Sequence, residues 1–207
     1  NGEVITEPAM EIKESTDIIE YLDKVVDYRE KVYYMFHKPA GCITARKDAD
    51  NKTVFDFFHE DNINGIFHVG RLDKDTEGFL LLSNDGKMAH NLLSPKKDVP
   101  KTYYAHIEGR VTEEDIEAMA KGVILEDGTK TKPGKLVILT SGAQSEIELT
   151  ITEGKFHQVK RMLQAVDNEV VYLKRLRFGP LSLDESLAPG EWRYLTKSET
   201  DALYTVK

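Results

Sequence analysis

The sequence predicts an α+β fold, in which a mixed, largely antiparallel sheet is flanked by short helices. Segments rich in β-branched and aromatic residues, or with alternating polar and apolar residues, outnumber the segments with helical periodicity. The helical segments are short, and they are interspersed irregularly rather than in a regular strand–helix–strand order, which argues against a doubly wound parallel sheet. With 40% hydrophobic and 31% charged residues, the composition is that of an ordinary globular protein.

The first half of the chain shows strand signals on both sides of a highly charged segment. Residues 31–37 form a β-branched and aromatic run that stops at Pro39 and Gly41. A short helix is expected at 54–58, and strands at 67–72 and 79–83 enclose the charged segment. A turn at 84–86 then leads into a short helix over 87–93. Residues 1–30 are acidic and weakly patterned, with β-like pieces only at 3–5 and 24–28.

The second half predicts strands at Lys101–Glu108, 145–152, 170–178 and 192–195. The strand at 145–152 alternates Ile147, Leu149 and Ile151 with polar residues, as expected for a half-buried strand. A helix is expected over 112–121, with Thr112 as N-cap and Gly122 after its last turn. A second helix, over 156–166, has its apolar residues at helical spacing and leaves Lys160 and Arg161 off the apolar face.

Charge and cysteine content restrict the class of protein. The net charge of −8, from 36 acidic and 28 basic residues, argues against a general nucleic-acid binder. Residues 155–177, however, contain six basic residues and only two acidic ones, which predicts one selective anionic site; a solvated helix face and strand is the equal alternative. The single Cys42 excludes an internal disulfide, and no apolar run approaches membrane-spanning length. We therefore expect a cytoplasmic protein that contacts no membrane.

Residues 70–78, hereafter the Asp73 loop, are the first segment that suggests chemistry. A glycine stands at each end, and five of the seven residues between them are charged. Arg71 and Lys74 beside Asp73 would keep its carboxyl group ionised, as a nucleophile or a general base requires. On composition alone, the favoured alternative is a solvated turn in which Asp73 or Asp75 only accepts backbone hydrogen bonds.

Two further segments combine aromatic or polar residues with basic ones. In the strand that begins at Lys101, adjacent residues point to opposite faces, so only one of Tyr103 and Tyr104 can face a cleft and stack on a base. The other segment, 153–162, ends a strand at a glycine and carries His157, Gln158 and Lys160 in the first turn of a helix. Such a segment could bind an RNA phosphate or supply the counter-ion of an active-site carboxylate. For each segment alone, ordinary packing or an exposed polar face is the better explanation.

Taken together, these segments resemble the pseudouridine synthases, and within them the RsuA-like branch that modifies ribosomal RNA. The Arg71-Leu72-Asp73 core and the form Asp73-x-Asp75-Thr76-x-Gly78 match its catalytic motif. The segment His37-Lys38-Pro39-Ala40-Gly41 is similar to its Asn-Lys-Pro-x-Gly motif, with His37 as a departure. Lys101-Thr102-Tyr103 resembles its Lys-x-Tyr motif, and residues 154–162 resemble its Gly-Arg-x-x-Gln-(Ile/Val)-(Arg/Lys)-Arg-Met motif. The resemblance covers about residues 31–195.

The resemblance implies a pseudouridine synthase fold with a catalytic cleft across the sheet, and an isomerase that uses no cofactor and no metal. Asp73 would be the catalytic carboxylate, Tyr103 the ring on the target base, and Lys160 the counter-ion of Asp73. The residues expected to bind substrate or RNA are Arg71, Lys74, Lys38, Lys101, His157, Gln158, Arg161 and Lys155. The expected partner is ribosomal RNA, most of all 16S rRNA, and the expected state is a monomer.

The same resemblance divides the chain at residue 31. Residues 1–30 would be the remnant of an N-terminal S4-type RNA-binding domain plus a linker, and 31–207 the catalytic domain. Since the chain starts with Asn, we expect it to be a fragment that lacks most of that domain. The alternatives are the same reaction on 23S rRNA, a non-catalytic rRNA-binding assembly factor, and a nucleoside hydrolase or glycosidase.

Overall fold

The computed structural model describes residues 1–7, 9–13, 16–22, 24–25, 30–58 and 63–206, and within these it shows one large mixed sheet. The strand order in this sheet is β11-β3-β5-β9-β6-β8-β7, with β4 also paired to β5 and β10 to β9. Only β5 and β9 pair in parallel; the other pairs in the described part of the chain are antiparallel. The predicted α+β class with a mixed, largely antiparallel sheet is confirmed. The strands of this sheet are β3 (Tyr33–Lys38), β4 (Phe67–Val69), β5 (Glu77–Ser83), β6 (Lys101–Glu108), β7 (Lys135–Thr140), β8 (Gln144–Ile151), β9 (Glu169–Phe178), β10 (Leu181–Ser182) and β11 (Trp192–Tyr194).

Four short α-helices accompany the sheet in the described residues, together with a 3-10 helix at Val54–Phe57. They are α1 (Gly86–Leu93), α2 (Glu113–Lys121), α3 (Gln158–Gln164) and α4 (Lys197–Tyr204). The Asp115 carboxylate accepts a hydrogen bond from the Thr112 backbone N–H, which confirms the predicted start of α2 at its N-cap. None of the helices in the described ranges is long and apolar enough to cross a membrane.

Strand β5 lies at the centre of the hydrophobic core because both of its faces are covered. Leu80 and Leu82 pack into one cluster with β6, β8 and α3, whereas Phe79 and Leu81 pack into a second cluster with α1. The sequence of a strand that is buried on both faces is a continuous run of apolar residues, and residues 79–82 form such a run. This burial gives the Asp73 loop, which enters β5, a rigid support.

The structure differs from the predictions at several elements. Residues 3–5 are not a strand; β2 is Lys24–Val25, paired with β1 (Glu20–Tyr21), and the rest of the predicted 24–28 piece lies outside the described residues. Strand β4 ends at Val69, three residues early, because the next residue, Gly70, turns the chain at φ +77°. The third helix is shorter than 156–166, since His157 adopts a left-handed conformation before it.

Four elements were missed: the two-residue strands β1 and β10, and two longer elements that each have a sequence signal. Strand β7 has the β-branched and aliphatic run Leu136–Ile138 between a Pro-Gly and a Ser-Gly pair. Helix α4 starts with a capping box, in which Glu199 accepts from the Thr196 backbone N–H.

The parallel contact between β5 and β9 joins the two halves of the sheet, and it lies where the Asp73 loop ends. Gly78 is paired there with Arg175, at φ +105°. A Cβ atom on Gly78 would lie 2.3 Å from the Arg175 carbonyl oxygen, so only glycine permits this approach. The loop is thereby placed directly above the junction of the two halves.

Candidate active site

The Asp73 loop is held in place by groups from the last residue of β3 and from the segment after it. The Lys38 ammonium donates to the carbonyl oxygens of Thr76 (2.8 Å), Pro39 (3.0 Å) and Lys74 (3.4 Å). The Thr44 hydroxyl donates to the Leu72 carbonyl at 2.8 Å, and the Gly41 backbone N–H donates to that of Lys74. These bonds place Asp73 without using its carboxylate.

The expectation that Lys38 contacts RNA is wrong, because its side chain is fully buried under the loop. Burial lowers the pKa of Lys38, and the carbonyl oxygens around it compensate for the lost water. Lys38 is therefore a structural anchor of the Asp73 loop.

Asp73 faces a cleft of about 790 Å³ that is lined by both halves of the sheet and by the segment before α3. Tyr103, from β6, lines this cleft, whereas Tyr104 points to the other face and donates to Glu146 at 2.8 Å. The prediction that one of the two tyrosines faces the cleft is confirmed for Tyr103. Its hydroxyl makes no hydrogen bond to any residue that the structure describes, so ring and hydroxyl remain available to a ligand.

His157 lies beside the Asp73 carboxylate. Its Nε2 lies 3.6 Å from Asp73 Oδ1, and the Asp73 side chain is 30% exposed. The left-handed backbone at His157 (φ +48°) turns the ring towards the loop instead of into helix α3. The Phe156 ring stacks on the His157 ring at a centroid distance of 3.7 Å and is itself 75% exposed. Phe156 was not predicted as a site residue, although an apolar ring inside a polar motif is a usable signal.

Lys160 does not pair with Asp73 in this structure, and its predicted role towards Asp73 stays a prediction. The Lys160 ammonium lies 2.7 Å from both carboxylate oxygens of Asp75. This contact lowers the pKa of Asp75. The Asp75 side chain is 71% exposed, so the pair contributes only about 0–1 kcal/mol of stability. Lys160 is thus at the cleft but held by the second aspartate of the motif.

Three other residues of this segment that were predicted to contact RNA make polar contacts within the protein. Arg161 donates to Glu126 and Asp127, and Lys155 donates to Glu153 at 2.7 Å. Gln158 is buried; its amide NH₂ donates to Glu153 and its oxygen accepts from the Lys155 backbone N–H. These polar groups are used within the protein, and a contact of the three residues with RNA stays a prediction. Three of the six basic residues at 155–177 (Lys155, Lys160 and Arg161) are thus paired with acidic neighbours, which sequence spacing did not reveal.

Arg71 and Lys74 remain exposed at the cleft side of the loop. Lys74 donates to the neutral Asn51 amide oxygen at 2.8 Å, and Arg71 has no hydrogen bond or ion pair within the described residues. Both cations are free of carboxylate partners in this part of the chain, as a phosphate contact requires.

The floor of the cleft carries a buried cation that the sequence reading missed. Arg175 lines the cleft beside Lys101 and Tyr103, and it is 2% exposed. Its Nε donates to the Phe79 carbonyl at 2.8 Å. The signal was the alternation in β9, where Leu173 and Arg175 are buried and the intervening Lys174 is not.

A comparison with known proteins fits this arrangement of aspartate, tyrosine and basic residues around one cleft. The model of the RNA pseudouridylate synthase family matches residues 32–165. The chain belongs to this family. This synthase is an isomerase that acts on RNA, and its fold is the pseudouridine synthase fold.

Individual relatives match nearly the whole synthase chain. This chain is 51% identical over 202 residues to YtzG of Bacillus subtilis (strain 168), described as an uncharacterized RNA pseudouridine synthase. The alignment covers 95% of this chain and 84% of YtzG. It is 40% identical over 205 residues to ribosomal small subunit pseudouridine synthase A of Haemophilus influenzae (strain Rd). This alignment covers 98% of this chain and 87% of that relative. A crystal structure of a pseudouridylate synthase matches with a TM-score of 0.79 and 39% identity, over 98% of this chain and 86% of that one.

Proposed function

We propose that this synthase converts one specific uridine of small-subunit (16S) ribosomal RNA to pseudouridine, with Asp73 as its catalytic carboxylate. The observation that carries the proposal is the position of Asp73, whose carboxylate faces the cleft opposite the Tyr103 ring and is not used by the fold. The choice of RNA is supported by the relatives named for the ribosomal small subunit, which are 36–40% identical. The enzyme would then act in the cytoplasm, where this RNA is.

The target uridine must leave its stack, because a base inside a helix exposes neither its glycosidic bond nor its faces. Once it lies in the cleft, Asp73 acts on the sugar or on the uracil ring. The N-glycosidic bond breaks, uracil rotates within the cleft, and its C5 is joined to the ribose. Tyr103 would stack on the base throughout, which contributes about 1–3 kcal/mol.

Other residues would bind the RNA around this base. Arg71 and Lys74 are placed for phosphates at one rim, and the exposed Phe156 ring is placed to stack on a neighbouring base. Lys160 would leave Asp75 for Asp73 when RNA enters, which the small free energy of an exposed ion pair permits. His157 would hold the Asp73 carboxylate in orientation.

The assignment of residues 1–30 to the remnant of an S4-type domain and a linker remains a proposal. The family model begins at residue 32, next to the proposed boundary. The S4-type part would anchor the enzyme to RNA, leaving 31–207 to carry out the reaction.

The decisive experiment maps pseudouridine in ribosomal RNA from cells that contain or lack this protein. We expect one 16S site to be lost and to be restored by the wild-type gene but not by Asp73→Asn. A lost 23S site instead would move the substrate to the large subunit. Restoration by Asp73→Asn would identify a non-catalytic factor, and release of free uracil would identify a hydrolase.

A further inference from the structure

Two basic side chains at the floor of the cleft lack the partners that buried cations need. Lys101 is 9% and Arg175 is 2% exposed, and no acidic group of the described residues forms an ion pair with either. Among the described residues, the Lys101 ammonium donates only to the Val99 carbonyl, at 3.0 Å. In the same part of the chain Arg175 donates only through its Nε, and its Nη2 is buried without a partner. Most of their donors are unused, although an unpaired buried cation is costly.

An irregularity in the sheet turns Arg175 into the cleft. Thr102 is opposite Arg177 but Tyr103 is opposite Arg175, so Leu176 is an extra residue in β9. In a regular ladder Tyr103 would face Leu176, and Arg175 would lie on the other face with Tyr104. A β-bulge of this kind commonly re-aims a side chain next to an active site. The β-bulge therefore places a second cation beside Lys101.

The position of Lys101 and Arg175 indicates which ligand they would bind. Lys101 and Tyr103 are two residues apart on one face of β6, and Arg175 is the cross-strand neighbour of Tyr103. A base that stacks on Tyr103 lies directly beside both cations. When the C1′–N1 bond breaks, its electron pair stays with uracil, and the negative charge spreads to the ring oxygens. That charge persists until a new C5–C1′ bond forms, the C5 proton is released and N1 is protonated.

We propose that Lys101 and Arg175 form an anion subsite, which stabilises the negatively charged uracil after its bond to the ribose breaks. The inference rests on the proposed function. Preorganised donors are most effective where charge develops in the transition state and water is excluded. An RNA phosphate has the same anionic oxygen chemistry, but it belongs at the exposed rim near Arg71 rather than beside the ring that holds the base.

The test compares wild type and Lys101→Met on substrate RNA with uridine or 5-fluorouridine at the target. The single-turnover rate measured on both substrates is that of consumption of the target nucleotide by cleavage of its glycosidic bond, because fluorine at C5 leaves no C5 proton to release. We expect Lys101→Met to lower the rate on uridine by about 10²-fold, with the Kd for RNA near the wild-type value. The deficit should shrink on 5-fluorouridine, because fluorine withdraws electrons and makes the departing ring a weaker base. Arg175→Met should behave in the same way, and Lys135→Met, an exposed lysine on β7, serves as the matched control.

Three outcomes would overturn the subsite. A higher Kd with an unchanged rate at saturation would mean a phosphate contact. Equal deficits on both substrates would exclude stabilisation of the leaving ring. Wild-type activity in Lys101→Met and Arg175→Met would leave both residues structural. These differ from failure of the proposed function, in which wild-type protein itself forms no pseudouridine in ribosomal RNA.

A second measurement decides the matter if the Met variants do not fold. Burial, together with the Arg175 charge, lowers the pKa of Lys101 to about 8. Arg175 on β9 is the charged group that faces it, and the aromatic Phe178 lies 5.4 Å away. As pH rises above about 8, Lys101 loses its charge and the wild-type rate should fall, whereas Lys101→Arg should keep its rate. Identical pH profiles would contradict the proposal.

Discussion

Strand β5 has an aspartate near each end, and the two are used in opposite ways. Asp85, just after the strand, is buried and accepts hydrogen bonds from Tyr33, Tyr204 and the Met88 backbone N–H. The Lys31 ammonium lies 3.2 Å from it. Asp73, in the loop before the strand, is 30% exposed, and within the described residues the only ion-pair partner of its carboxylate is His157, at 3.6 Å.

The difference shows how one strand can support both stability and chemistry. The hydrogen-bonding capacity of Asp85 is used by the fold, and its partners join β3, α1 and α4. The carboxylate of Asp73 is placed by backbone bonds of its loop, which leaves its oxygens to a substrate. A satisfied carboxylate stabilises the fold, whereas an unsatisfied one in a cleft is available for catalysis.

The largest effect is expected at Asp73. Replacing it by Asn should lower single-turnover pseudouridine formation by at least about 10³-fold, because the amide is neither a base nor an anionic nucleophile. The free energy of unfolding should change by no more than about 0.5 kcal/mol, since the fold does not use this carboxylate. Urea unfolding and a tritium-release assay measure the two quantities. A large loss of stability would mean that Asp73 is a structural residue like Asp85.

Asp85→Ala should show the reverse pattern. We expect a loss of about 3 kcal/mol in the free energy of unfolding, because two tyrosine hydroxyls, the N-terminus of α1 and a lysine lose their partner. Activity per folded molecule should be retained. Asp201→Ala removes an exposed carboxylate that pairs with Lys197, and it should cost no more than about 0.5 kcal/mol in the same urea titration.

Lys160→Met tests whether the lysine works on Asp73 rather than on Asp75. We expect turnover to fall by about 10²-fold while the Kd for RNA stays near the wild-type value. Asp75→Asn, which removes the partner seen in the free enzyme, should leave turnover at the wild-type level or above it. Weaker RNA binding with normal turnover would instead make Lys160 a phosphate contact.

Phe156→Ala should weaken RNA binding by about tenfold, because stacking of a base on an aromatic ring contributes about 1–3 kcal/mol. Phe156→Trp should restore it. Fluorescence anisotropy with labelled RNA measures both Kd values, and turnover at saturating RNA should stay near that of wild type. Equal binding by the Ala and Trp variants would show that the exposed ring contacts no base.

The smallest effect concerns acid stability. Burial alone would raise the pKa of Asp85, but the hydrogen bonds from Tyr204, Met88 and Tyr33 and the nearby Lys31 hold it below its usual range. A lowered pKa in the folded state gives stability that is present above the unfolded value of about 3.9 and is lost as pH falls towards the folded value. Urea midpoints should therefore fall more steeply below pH 4 in wild type than in Asp85→Asn. Parallel curves would contradict this role.

The sequence alone determined the fold class and most strands, and it indicated the candidate catalytic segment. Continuous apolar runs such as 79–82 and alternation such as that of Ile147, Leu149 and Ile151 are local properties that burial on one or two faces imposes. The proposed role of Asp73 came from the resemblance to the family, because the loop, the Tyr103 strand and the His157 segment each resemble one of its motifs.

Only the tertiary structure decided which charged groups are free. Lys38, Arg161 and Lys155 all look like RNA contacts in the sequence, yet one is buried under the loop and two pair with acidic neighbours. Lys160 pairs with Asp75 and not with Asp73. A single extra residue in β9 brings Arg175 into the cleft. The physical reason is that ion pairs, burial and strand register depend on long-range neighbours, whereas secondary structure and motifs depend on residues close in the chain.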